Sequence, residues 1–295
     1  MKNEAIVLSV GRADCNILFI GQGDERRCII IDAGCFPPVR DTALRDLLLQ
    51  RQVKTIDLLI ITHLHADHLA ALHTLEDSFT IQKMILPTAS PIIVTPQILS
   101  TQPGNKYLLN LAMLNSFRGH CQAQGTQIED VMRYAGAGAI SFGEYRLRCL
   151  YPFKGNQQLS VSYALKMCDT ACDKDACIAY EKLSRIHANA DSSVWLLEKG
   201  DQALALFAAD APEQTLMDIL TKEPLHPRLV KLPHHGIPGG YFSSTLVRHL
   251  APEVLVVSTD ARMKDRVLAP CNAIAASCGV PIHFTFDGSY HWFFE

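Results

Sequence analysis

The chain has 295 residues, 48% of them hydrophobic, with 27 basic and 30 acidic side chains giving a formal net charge of −3. That size and apolar content suffice for a large core, and the slightly acidic balance excludes nucleic-acid binding through overall positive charge, leaving only local contacts. Met1-Lys2-Asn3-Glu4 leads into an apolar strand without a signal-peptide pattern, and no run approaches the roughly 18 apolar residues of a membrane helix, so a cytoplasmic location with no membrane attachment is expected.

In chain order, apolar runs predict strands at residues 4 to 10, 14 to 20 and 27 to 32, followed by a helix after Pro37-Pro38 carrying Leu44, Leu47 and Leu48. Further strands are expected at 57 to 62, 81 to 86, 145 to 151, 193 to 198, 202 to 208, 228 to 232, 253 to 258 and 281 to 286. Pro212 opens a helix with Leu216, Ile219 and Leu220, and Ser243-Ser244 caps one with Leu246, Val247 and Leu250. This alternation predicts an α/β protein of two mixed β-sheets covered by helices, one domain over 1 to 295. Two segments fall outside the plan and are read as insertions: about 88 to 137, with a helical pattern through Tyr107, Leu111 and Leu114, and about 152 to 190, which is polar and bears cysteines. Lone histidines such as His120 and His249 read as surface residues.

The chemistry concentrates after the apolar run Leu58-Leu59-Ile60-Ile61, where Thr62-His63-Leu64-His65-Ala66-Asp67-His68 packs three histidines and a carboxylate into six residues. Imidazole nitrogen and carboxylate oxygen at the end of a strand suit zinc, manganese or iron. His63 and His65 are spaced to grip one ion, while Asp67 and His68 start the next turn and point to a second. Two more apolar strands end in ligand-type residues: Ala203 to Ala208 runs into Asp210, and Leu229 to Leu232 runs into Pro233-His234-His235-Gly236. Taken alone, Asp210 also reads as a helix cap ahead of Pro212 and His235 as a turn residue.

This H-x-H-x-D-H motif, with Asp210 and His235-Gly236 following at later strand ends in the same order, resembles the metallo-β-lactamase superfamily. The resemblance implies a four-layer αββα sandwich holding two divalent metal ions, Zn or Mn, with His63, His65, Asp67, His68, Asp210 and His235 as ligands and Asp210 bridging. Members with a filled first site take a third histidine from the loop before the strand at 193 to 198. His187 stands about there and is the expected ligand, against a solvent-exposed loop histidine.

The loop His187-Ala188-Asn189-Ala190-Asp191-Ser192 also resembles the Asn/Asp-x-Ser segment in the nuclease-like domain of the ComEC competence protein. Lys231-Leu232-Pro233-His234-His235-Gly236 is a further ComEC-like signature, as are the opening paired strands. Gly11-Arg12-Ala13-Asp14 stands where those domains commonly have Gly-Gln-Gly-Asp, whereas the literal Gly21-Gln22-Gly23-Asp24 falls in a hairpin turn where glycines are expected anyway. Asp32 and Gly34 match the Asp-x-Gly strand end that leads to the metal cleft, with Asp14 placed to support a ligand.

The implied reaction is hydrolysis by a hydroxide held between two ions, with Asp67 also orienting the nucleophile. The ComEC-like features favour a phosphodiesterase or nuclease acting on DNA, RNA or nucleotides, with His234 and Lys264 contacting phosphate. Arg262, Lys264 and Arg266, after the strand at 253 to 258, are candidates for phosphate contacts, against a solvated charged loop. Alternative readings are a hydrolase of small thioesters, lactones or β-lactams, and a metal-stabilised non-catalytic component of a larger assembly. The insertions would wall the cleft and offer a surface to a protein partner. Cys168, Cys172 and Cys177 read as a structural zinc site, a redox pair or a thiol-rich helix face, and the remaining cysteines as reduced core thiols.

Overall fold

The computed structural model describes residues 2–36, 42–169 and 173–295. Two seven-stranded sheets pack face to face. From its edge, the first runs Tyr290–Phe294, Asn3–Val7, Cys15–Ile20, Arg27–Ala33, Leu58–Ile60, Lys83–Leu86 and Gln127–Asp130. The second runs Ile282–Phe284, Val254–Val257, Leu229–Lys231, Gln202–Phe207, Val194–Lys199, Tyr145–Tyr151 and Ala139–Phe142. Each sheet is half parallel and half antiparallel: pairing is parallel from Arg27–Ala33 to Gln127–Asp130 in the first and from Ile282–Phe284 to Gln202–Phe207 in the second. A parallel half is apolar on both faces, and the fully buried runs Cys28 to Ala33, Leu58 to Ile60 and Leu204 to Phe207 show it.

Three apolar layers hold the sandwich together. Trp195, Leu197, Phe207, Leu18, Ile29 and Trp292 meet between the sheets. Leu44, Leu72, Leu108, Leu111 and Phe117 cover the outer face of the first sheet, and Leu216, Leu246, Val267 and Cys271 that of the second. The layer order is therefore αββα. Among the described residues, no helix is long and apolar enough to cross a membrane.

The expected strands all occur, shortened or shifted by a few residues at their ends. Three edge strands depart from the expectation. Gln127–Asp130, placed in the first insertion, is the edge strand of the first sheet, and Ala139–Phe142 and Tyr290–Phe294 are edge strands as well. The insertions themselves are helical: Pro96–Thr101 and Lys106–Ala123 in the first, Leu159–Asp169 and Lys174–His187 in the second. Asn105 caps the Lys106–Ala123 helix through the Tyr107 and Leu108 amides, and Asp173 caps the next insertion's second helix through Ala176. The expected helix after the prolines is Ala43–Gln50, while Pro37 and Pro38 lie outside the described residues. Cys172 does too. Cys168 and Cys177 are free thiols, and the clusters of metal-ligand type among the described residues include no cysteine.

Candidate metal centre

Parallel strands deliver their carboxyl ends to one rim, and the loops that follow Arg27–Ala33, Leu58–Ile60, Gln202–Phe207, Leu229–Lys231 and Val254–Val257 meet there. Three sets of ligand atoms converge: His63, His65 and Asp210; Asp67, His68 and His235; and Asp14, His68 and Asp210. Asp210 lies at the centre. Its Oδ2 is 3.9 Å from His63 Nε2, and its Oδ1 is 3.4 Å from His68 Nε2 and 3.8 Å from His235 Nε2. Asp67 Oδ2 stands 3.3 Å from His235 Nε2.

The backbone is bent hard to achieve this. Asp32, Ala209, His234 and His235 all take left-handed conformations, with φ of 63°, 48°, 48° and 56°, which few non-glycine residues adopt. At Gly34 a Cβ would lie 1.7 Å from the Asp67 carbonyl oxygen, so only glycine lets this strand end pass beneath the motif loop.

Each inward nitrogen is fixed by what its ring's other nitrogen touches. His68 Nδ1 is 2.8 Å from Asp32 Oδ2, and Asp32 also accepts from the Thr62 amide and hydroxyl at 2.8 Å each. His63 Nδ1 lies 3.1 Å from Ser192 Oγ and 3.2 Å from Thr62 Oγ1. His235 Nδ1 lies 3.2 Å from Ser258 Oγ and 3.3 Å from Asp14 Oδ1. Asp14 in turn accepts from Ser258 and from the fully buried Lys231 ammonium. His65 differs: its Nε2 donates to the Arg185 carbonyl at 2.9 Å, leaving Nδ1 for the cluster.

Electrostatics follow the same map. Burial holds His63 well below its usual value, with His68 and His65 adding to the effect. Burial would lower His68 and His235 too, yet Asp32 and Asp210 raise the first well above its usual value, and Asp210 and Asp14 bring the second to about 9. Burial would raise Asp210, but His68 and His235 pull it well below the carboxylate range.

The donor set fits divalent cations. His63 Nε2, His68 Nε2, His235 Nε2 and Asp210 Oδ1 are buried without a hydrogen-bond partner, and each such atom costs about 1–3 kcal/mol. Four buried, unpartnered nitrogen and oxygen atoms aimed at one small volume are what zinc- or manganese-type ions satisfy once the rings lose their protons.

Three expected groups are placed differently. His187 ends its helix with its ring stacked on Tyr163 at 5.7 Å, apart from the His63, His65 and Asp210 set. Helix Lys174–His187 carries it away, and Ser192 reaches His63 instead. Lys264 opens helix Lys264–Cys278 with its ammonium 5.6 Å from the Phe286 ring centroid, and Arg262 pairs with Asp260 at 3.2 Å. Neither Lys264 nor Arg262 lines the cleft. His234 does: its ring lies on Tyr241 at 3.9 Å and its Nε2 is 3.9 Å from Asp210 Oδ2. The cleft, about 340 Å³, draws its cations from Arg12, Lys106 and Arg185.

Ser192 lies in the Asn/Asp-x-Ser segment that the sequence offers in place of a third histidine, whereas Ser258 and the cleft cations carry no such sequence mark. Lys231 carried a signal for its supporting role, because a lone lysine inside an apolar strand needs a buried partner.

The chain is similar to known proteins in part of its sequence and in its fold. Residues 10–95 match the metallo-beta-lactamase superfamily. A hydroxyacylglutathione hydrolase of Vibrio parahaemolyticus is 27% identical over 148 residues, 46% of this chain and 55% of that enzyme. The match thus spans about half the length of that curated relative. Igni18, a metallo hydrolase of Ignicoccus hospitalis, superposes over the whole of both chains with a TM-score of 0.53 at 15% identity. A diphosphatase of the PhnP family superposes over 100% of this chain and 98% of its own with a TM-score of 0.48 at 12% identity. The chain has the metallo-β-lactamase fold, and its segment 10–95, which holds the histidine motif, carries that superfamily's signature.

Proposed function

We propose that this protein is a hydrolase of the metallo-β-lactamase superfamily that holds two divalent cations and cleaves phosphodiesters. The observation that carries the metallohydrolase reading is the convergence of His63, His68, His235 and Asp210 ligand atoms that are buried and unpartnered. His63, His65 and Asp210 would hold one ion and Asp67, His68, Asp210 and His235 the other. Ions bound there would supply Lewis acidity and a water acidified toward neutral pH.

The protein's own groups do the rest. Asp67 reaches the cleft with its side chain 21% exposed, where it can accept a proton from an attacking water. His234 faces the same space and can hydrogen-bond a substrate oxygen. The cations Arg12, Lys106 and Arg185 outnumber the carboxylates Asp67 and Asp210 along the cleft, which supports an anionic substrate. The strand end Lys231 to Gly236 supports the narrower likeness to the ComEC nuclease-like domain.

A second reading, hydrolysis of a small thioester such as a hydroxyacylglutathione, is supported by the partial likeness to the Vibrio enzyme. Metal analysis of the purified protein, followed by assays on single- and double-stranded DNA, RNA, cyclic dinucleotides, a hydroxyacylglutathione and a chromogenic β-lactam, separates the two. Turnover of nucleic acid or cyclic dinucleotide that is lost in Asp210→Asn supports the phosphodiesterase. Turnover confined to the thioester or lactam overturns it, and a protein that retains no transition metal overturns both.

A further inference from the structure

Helix Lys174–His187 touches the metal centre twice through one residue. The Arg185 carbonyl, in the helix's last turn, accepts from His65 Nε2 at 2.9 Å, while the Arg185 side chain lines the cleft. Carbonyls of a helix's last turn have no intrahelical donor, so the ligand satisfies the helix and the helix orients the ligand. Glu181, one turn earlier and buried, steadies the guanidinium at 3.4 Å.

The other insertion helix meets it at the same place. Lys106 begins helix Lys106–Ala123 as an exposed side chain on the cleft. Its neighbour Tyr107 packs edge-on to His65 at 6.4 Å and shares a hydrogen bond of 2.6 Å with Ser184. Lys106 and Arg185 are therefore brought together by Tyr107 and Ser184 on the His65 side of the centre. Arg12 reaches the same cleft from a different part of the fold: the Asp14 amide, two residues on, donates to the Asp67 carbonyl at 2.9 Å, and the Arg12 guanidinium lies 5.3 Å from the Phe36 ring centroid.

The cleft thus draws its cations from separate parts of the fold, Lys106 and Arg185 on the insertion helices and Arg12 on the loop before Cys15–Ile20. We infer that Lys106 and Arg185 bind a second, non-scissile anionic group of the substrate, so that the cleft selects phosphodiesters carrying a neighbouring phosphate. This rests on the phosphodiesterase reading. The cleft's roughly 340 Å³ suits a nucleotide-sized segment, and a guanidinium and an ammonium grip phosphate by complementary geometries, fork and point charge.

The test uses the metal-loaded full chain and two substrates, a dinucleotide with and without a 5′-phosphate. The wild-type preference for the phosphorylated form in kcat/KM should be about 10-fold or more, carried by KM, and should collapse to about one in the Lys106→Glu, Arg185→Glu double variant, as expected for two charge-assisted contacts. Metal content is measured alongside, since the Arg185 carbonyl remains. No wild-type preference, or a preference that survives in the variant, overturns the inference. Should the protein cleave neither dinucleotide, calorimetry with inorganic pyrophosphate decides separately: binding that is lost in the double variant keeps the anion grip while the phosphodiesterase reading falls, and pyrophosphate that does not bind the wild type overturns the grip.

Discussion

Asp32 holds His68 Nδ1 at 2.8 Å from a left-handed backbone position and ties the same carboxylate to the Thr62 amide and hydroxyl. One side chain from the third strand thus sets both the tautomer of a ligand and the path of the loop that carries it. Asp32→Ala should lower metal affinity about 10–100-fold, in line with losing a carboxylate behind a ligating histidine. Competition with a metallochromic chelator measures it, and an unchanged affinity would show that His68 needs no such support.

Lys231 and Asp14 form a fully buried ion pair. Removing one partner of such a pair typically costs about 3–5 kcal/mol, whereas replacing both by neutral groups costs much less. In urea unfolding, Lys231→Met should be strongly destabilised and the Lys231→Met, Asp14→Asn double variant should recover most of the loss. Its metal affinity should not recover, because Asp14 also faces His235 Nδ1. Additive destabilisation in the double variant would contradict the pairing.

Metal uptake should release protons. In the metal-free protein, Asp210 and Asp14 overcome burial to lift His235 to about 9, and Asp32 and Asp210 raise His68. Both rings are then protonated at neutral pH, and an ion must displace those protons. Affinity should therefore rise with pH up to about 9 and fall on acidification. Calorimetry in two buffers of different ionisation enthalpy at pH 7 counts the protons, and a count of zero would contradict the assignment of these rings as ligands.

His187→Ala should leave metal content nearly unchanged, since its ring stacks on Tyr163 away from the cluster. Loss of roughly 10-fold in affinity, the scale of a lost supporting ligand, would return His187 to the centre.

The buried strands were readable because fully apolar runs such as Cys28 to Ala33 and Leu204 to Phe207 admit no other use in a chain of this size. Gln127–Asp130 was not, because an edge strand with one wet face carries too few apolar residues to stand out from a loop. At the site, local spacing pointed to His63 to His68, and the resemblance to the metallo-β-lactamase superfamily pointed to Asp210 and His235 at later strand ends. What resisted was everything set by tertiary geometry. Lys106 and Arg185 are ordinary surface cations until two helices, packed through Tyr107 and Ser184, turn them to one opening. Lys264 looked better placed in the chain and is directed to Phe286.

The left-handed backbone at Asp32, Ala209, His234 and His235 sets a limit on how this protein can be improved. Residues held in such conformations cost on the order of 1 kcal/mol or more each, and glycine or asparagine would relax them. A laboratory selection for heat resistance alone, run on the metal-free chain, would accordingly accumulate its gains at the rim and return a hardier protein with no reaction left to perform.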